Sequence, residues 1–217
     1  MEILFEDRDI IVVCKDTGIL SQRDESGNVN LQDMISDYLS EKGEKGETFV
    51  LHRLDRNVGG VMVYAKNKRS AAQLSGQIQK RVFMKEYLAV IHSKPEQSEG
   101  VFEDLLFKDS KKNKSYVVTR ARKGVKDAKL SYKLLGTRES EYGEISLVRV
   151  LLHTGRTHQI RVQCSSRKMP LVGDGKYGGS DKCESIGLWS CSVSFIHPST
   201  GEKVTFEKIP DIPLFTF

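Results

Sequence analysis

His52-Arg53-Leu54-Asp55 sets one carboxylate between two arginines, Arg53 and Arg56, on an apolar stretch that breaks into Gly59-Gly60. Far along the chain, Thr154-Gly155-Arg156-Thr157-His158-Gln159-Ile160-Arg161 gathers two arginines and a histidine around a turn. A carboxylate that acts as a nucleophile near neutral pH must stay ionised, and a fixed cation beside it achieves that. The two strings could supply both halves. Each also has a plainer reading. Asp55 alone fits a surface ion pair at least as well, and the second string fits phosphate binding at a basic helix N-terminus without catalysis.

The elements that must hold these groups are legible in outline. Residues 2–15 read as two short strands around Glu6-Asp7-Arg8-Asp9, followed by a turn at Lys15-Asp16-Thr17-Gly18. Asn30 is suited to cap a helix carrying Leu31, Ile35 and Leu39 at helical spacing. Val61-Met62-Val63-Tyr64-Ala65 reads as a strand, a helix carries Ala71, Leu74 and Ile78, and Phe83 to Ile91 is again a strand. Strand-like segments follow near 116–120, 128–136 and 144–152. Thr157 is suited to cap a short helix to about Ser166, with His158 and Arg161 on one face and Arg156 at its start. Cys191 to Ile196 is a late strand. Strands outnumber helices, so the expected class is α+β: a mixed, mainly antiparallel central sheet flanked by helices. The 217 residues suffice for one catalytic domain spanning 1–217.

Composition narrows the function. No apolar run approaches the length of a membrane span, and the acidic start Met1-Glu2-Ile3-Leu4-Phe5-Glu6-Asp7 does not read as a signal peptide. A cytoplasmic protein with no membrane partner is expected. Cys14, Cys164, Cys183 and Cys191 are too scattered for a zinc site or a disulfide framework, and the five histidines show no ligand spacing. No metal is expected. The net charge of +5 is segregated: nine Lys/Arg against two Asp between Lys108 and Lys129, and seven against two between Arg149 and Lys182. A segregated positive field suits a polyanion.

In order, Ile3-Leu4-Phe5-Glu6-Asp7 through Lys15, His52-Arg53-Leu54-Asp55, Lys85-Glu86-Tyr87-Leu88-Ala89, Thr154 to Arg161, Gly173-Asp174 with Tyr177-Gly178-Gly179, and His197-Pro198 together resemble the RluA-type family of RNA pseudouridine synthases. The chain departs from that pattern at Asp16, where the family has Pro, and at Val58-Gly59, where it has Thr-Ser. It departs again at Trp189-Ser190, where the family has His-Ala. The resemblance implies the pseudouridine synthase fold with a catalytic cleft, without the N-terminal RNA-binding module of many relatives. It implies isomerisation of specific uridines in ribosomal or transfer RNA, with no cofactor. Asp55 is then the nucleophile, Arg161 its cation, and Tyr87 the ring that stacks on uracil. Arg53, His52, Arg156, His158 and Leu188 would bind substrate. RNA is the expected partner, no obligatory protein partner is implied, and a monomer is the default. A non-catalytic RNA-binding domain of the same fold, and a hydrolase acting on nucleosides or RNA, are the alternatives.

Overall fold

The computed structural model describes residues 1–25, 27–179, 183 and 185–217. Asp181 and Lys182 of the second basic cluster lie outside the described residues. The strands are β1 (Glu2–Glu6), β2 (Ile10–Lys15), β3 (Phe49–Val50), β4 (Gly59–Ala65), β5 (Met84–His92), β6 (Glu99–Asp109), β7 (Lys114–Val118), β8 (Val125–Ser140), β9 (Gly143–Leu152), β10 (Leu188–Ile196) and β11 (Lys203–Glu207). The helices are α1 (Leu31–Glu41), α2 (Lys68–Gln79) and α3 (Gln159–Ser165). The expected class, a mixed and mainly antiparallel sheet with helices against it, is the one observed. The residues group into two compact units, Met1–Lys85 with Ser190–Pro210, and Glu86–Trp189 with Asp211–Phe217.

In the first unit β1 pairs antiparallel with β2, β2 with β4, and β10 with β11, while β3 adds to β4. Every residue of β2 and β4 is buried, which is why both read as unbroken apolar runs rather than alternating ones. Their side chains share a core with Leu74 of α2, Phe83, Val193 and Phe195. Helix α1 buries Leu31, Ile35 and Leu39, the i, i+4 spacing that places them on one face, and the Asn30 side chain accepts from the Asp33 N–H at 2.9 Å. Asn67 caps α2 in the same way through Ser70.

The second unit is an antiparallel run in the order β5-β9-β8-β6-β7. Its register slips between Leu134 and Gly136, a bulge in a strand of 16 residues. Helix α3 packs through Val162 against Leu106, Ala128 and Tyr177. Three strands, β3, β6 and β11, have no counterpart in the sequence reading. Glu99–Asp109 lacks clean alternation, and its extended state is decided by pairing with β7 on one side and β8 on the other. The two basic connections flank β7: residues 110–113 after β6, and 119–124 before β8.

Candidate active site

Asp55 sits just before β4 on a loop whose exposure alternates, with Arg53 and Arg56 exposed, Leu54 buried and Asp55 half-buried. Its flanks are tied to residues 15–21. Ser21 Oγ donates to the Leu54 carbonyl at 2.9 Å and accepts the Leu54 N–H at 3.0 Å, closing a two-way bond. On the other flank the Gly18 N–H donates to the Arg56 carbonyl at 2.9 Å, and Arg56 Nε returns a bond to the Gly18 carbonyl at 2.8 Å. Gly18 holds φ at +85°, a conformation that side chains rarely adopt. The Asp55 carbonyl accepts from the Val58 N–H at 3.0 Å. The loop's own anchor is the Tyr64 hydroxyl, which donates to the Ser21 carbonyl.

A buried cation completes this arrangement. Lys15 is fully buried, and its ammonium donates to the carbonyls of Asp16 (2.9 Å), Ile19 (2.7 Å) and Arg56 (3.1 Å). Burial pulls its pKa down to about 8 against the opposing pull of Asp16 and Asp55. Lys15 is therefore a cation whose field reaches Asp55 from within the same unit. The Lys15-Gly18 stretch reads as a turn in the sequence; nothing there marks the lysine as interior or Ser21 as a clasp.

His52, expected to bind substrate, is instead buried in the wall of its unit. Its Nε2 accepts the Val63 N–H at 3.2 Å and its ring lies 5.5 Å from that of Phe83. Burial, and secondarily the charge of Lys85, lowers its pKa to about 3, so the ring is neutral. This geometry gives His52 the work of holding the loop to β4. Gly60, with φ at +118°, lies where any side chain would strike the Ser190 main chain, and Ser190 Oγ donates to the Val61 carbonyl. The Trp189-Ser190 departure thus brings a hydroxyl that ties β10 to the strand following Asp55.

In the second unit, Arg161 on α3 grips the buried carboxylate of Asp174 at two points, 2.8 Å from Nε and 2.7 Å from Nη2. Two parallel bonds fix the plane of the guanidinium as well as its position. Its central carbon lies 5.2 Å from the centre of the Tyr177 ring. The Tyr177 hydroxyl accepts the Ser115 N–H at 2.7 Å and shares a hydrogen bond with His158 Nδ1 at 2.9 Å. Burial pushes that phenol above its ordinary pKa, so the proton stays.

The start of α3 differs from the sequence expectation. His158, not Thr157, occupies the cap position, in a left-handed conformation (φ 53°) and with no side-chain capping bond. From the cap it reaches Tyr177, the same side chain that Arg161 lies over from within the helix. Buried Gln159 organises the turn: its Oε1 accepts from Thr154 Oγ1 at 2.8 Å and the Arg156 N–H at 3.0 Å, while its Nε2 donates to the Lys129 carbonyl at 3.1 Å. Arg156 reaches the Asp127 carbonyl through Nε at 2.7 Å. Ser115 Oγ donates to the Thr157 carbonyl at 2.7 Å, which fastens β7 to the same turn. Tyr87 is buried on β5 opposite Val150, and Leu188, also buried, opens β10. Among the described residues, no group of three or more His, Cys, Asp or Glu could hold a metal ion. No helix among them is long and apolar enough to cross a membrane.

Residues 9–166 match the family model described as RNA pseudouridylate synthase. The chain is 31% identical over 210 residues to an uncharacterized RNA pseudouridine synthase, YhcT, of Bacillus subtilis, covering 95% of this chain and 68% of that protein. It is 35% identical over 222 residues to an uncharacterized RNA pseudouridine synthase of Aquifex aeolicus, covering 95% and 68%. It is 30% identical over 221 residues to the ribosomal large subunit pseudouridine synthase C of Buchnera aphidicola, covering 97% and 67%. The chain thus spans about two thirds of these relatives' length. A human structure, RNA pseudouridylate synthase domain containing 1, shares the fold at 23% identity and a TM-score of 0.80, covering 99% of this chain and 86% of that one. On the strength of a match over most of its length, the chain belongs to the RNA pseudouridine synthase family, isomerases that act on RNA.

Proposed function

We propose that this protein isomerises chosen uridines of ribosomal or transfer RNA to pseudouridine, with Asp55 as nucleophile. The observation that carries the reading is the two-sided clasp on the Asp55 main chain, with the Lys15 ammonium inside it. Positioning a single reacting group to this degree is what an intramolecular-like attack requires. The name of the Buchnera relative favours ribosomal RNA.

In the proposed reaction the C1′–N1 bond breaks, the uracil turns, and C1′ bonds to C5, whose proton passes to water while N1 gains one. Asp55 attacks either the anomeric carbon or the uracil ring. Arg161, its plane fixed by Asp174, keeps the nucleophile ionised. Tyr87 stacks on the uracil and assists the C5 proton, and Leu188 closes the apolar side of the base pocket. Extruding the base costs a few kcal/mol, and Arg53 fills the gap it leaves. Arg156, His158 and the exposed lysines and arginines of 108–129 hold phosphates. The enzyme works in the cytoplasm as a monomer, without metal or nucleotide cofactor.

The test uses RNA tritiated at uracil C5. The wild type should release label to water and leave the strand uncut, and Asp55→Asn should fold, bind RNA and release none. Released label from Asp55→Asn removes Asp55 from the nucleophile role. Binding without release by the wild type favours the non-catalytic alternative, and free uracil or strand scission favours the hydrolase.

A further inference from the structure

Three lysines of the first unit have their side chains largely withdrawn from water, and two of them have evident partners. Lys15 gives its ammonium to three carbonyls, and Lys66 pairs with Glu6 at 2.8 Å and Glu44 at 2.7 Å. Lys85 is half-buried and has no hydrogen-bond or ion-pair partner among the described residues. Lys85 lies in β5, where the alternation of an extended chain puts it on the same side as Tyr87. Burial alone depresses the Lys85 pKa, and its charge in turn depresses that of His52. His52 cannot serve as counter-charge, because its ring is neutral and its Nε2 is already engaged by the Val63 N–H. Its Nδ1 is buried and has no partner among the described residues.

A cation drawn out of water without a counter-charge is a net cost to folding. A ligand that brings an anion to the spot recovers it. The substrate is a polyanion whose bases are neutral, so the anion it can bring is a backbone phosphodiester. A lysine meets such a group as a compact point charge, with three donors on a flexible stem.

We propose that Lys85 binds a backbone phosphate of the RNA substrate, two residues along the chain from Tyr87. This rests on the functional reading above, and it adds a phosphate ligand outside the basic segment 108–129.

The test compares wild type, Lys85→Met and Lys85→Arg in thermal unfolding and in binding of a uridine-containing RNA from 50 to 200 mM salt. Lys85→Met keeps the apolar stem and removes the charge. It should leave the melting temperature unchanged or higher, since the protein alone does not use that charge. It should weaken RNA binding about five- to tenfold at the lower salt. It should also reduce the slope of log affinity against log salt by about one contact, roughly 0.7 to 0.9. Lys85→Arg should recover most of the slope. An unchanged slope in Lys85→Met overturns the assignment, and so does a lower melting temperature with binding lost only in proportion to folded protein. If Lys85→Met matches a wild type that binds RNA, only the lysine's role falls. If the wild type itself fails to bind RNA, the functional reading falls and this one with it.

Discussion

Ser21 is the residue by which the proposed role of Asp55 is tested most gently, because it touches only the neighbouring peptide. Its hydroxyl both donates to and accepts from Leu54, the residue before Asp55. Ser21→Ala removes one donor and one acceptor, leaving a buried N–H and carbonyl without that partner. The expected cost is about 1 to 2 kcal/mol of stability. If the clasp serves catalysis, kcat should fall about tenfold or more, because small displacements of a reacting group are expensive, while KM for RNA is unchanged. Ser21→Thr, which keeps the hydroxyl, should recover kcat. A fall in stability with kcat intact would make Ser21 a structural residue only. Sequence reading could not reach this serine: its type is ordinary, and its importance arises from meeting a segment 33 residues away. The same holds for His52, which the family resemblance puts among the substrate contacts and whose Nε2 accepts the Val63 N–H 11 residues on. Asp174 and Tyr177 were visible as members of a motif, but their grip on Arg161 and His158 was not.

Among the elements, those whose state is written locally were the ones legible beforehand. Helix α1 announced itself through Asn30 and the spacing of Leu31, Ile35 and Leu39, and β2 and β4 through their unbroken apolar runs. Helix α3 was located, but its start was misassigned to Thr157, because a left-handed His158 held by Tyr177 depends on a partner 19 residues away. Strand β6 depended wholly on its neighbours. The two Asn caps offer a test at this scale. Asn30→Ala should cost about 1 kcal/mol, the usual loss of an N-cap. Asn67→Ala should cost more, about 2 kcal/mol, because Asn67 Nδ2 donates to the buried carboxylate of Asp9 at 3.0 Å, whereas Asn30 Nδ2 donates to the more exposed carboxylate of Asp33 at 2.8 Å. Denaturant midpoints of the two variants decide it. Equal losses would mean that the bond to Asp9 adds no more than the bond to Asp33.

For the whole molecule, three groups of the first unit, His52, Glu6 and Asp9, point to acid as a weak side. His52 is neutral when folded, with burial holding its pKa near 3 against 6.5 in an exposed ring. Below pH 6.5 the unfolded chain therefore takes up a proton that the folded one refuses, and stability falls as pH falls. Glu6 and Asp9 continue the trend. Burial raises the pKa of Glu6, but bonds from Lys66, Lys42 and Tyr38 outweigh it and bring the value to about 2; Asp9 is brought to about 2 chiefly by Ser199, with Asn67 and Ser70. Because both folded values lie below the ordinary 4.5 and 3.8, their contribution is full above those values and lost as pH drops towards 2. The three windows are ordered, so the histidine acts alone first. Between pH 6.5 and 4.5 the wild type should lose about 2 kcal/mol from His52. His52→Gln, whose side-chain carbonyl can still accept the Val63 N–H, should be less stable at pH 7.5 yet nearly flat over that interval. Below pH 4.5 the carboxylates titrate in both proteins, and the wild type should decline the more steeply down to about pH 3, where the folded His52 also takes up its proton. Denaturant midpoints at pH 7.5, 5.5 and 4.5 read the difference. A His52→Gln protein that declines in parallel with wild type from pH 6.5 would show that the buried ring does not set the acid limit.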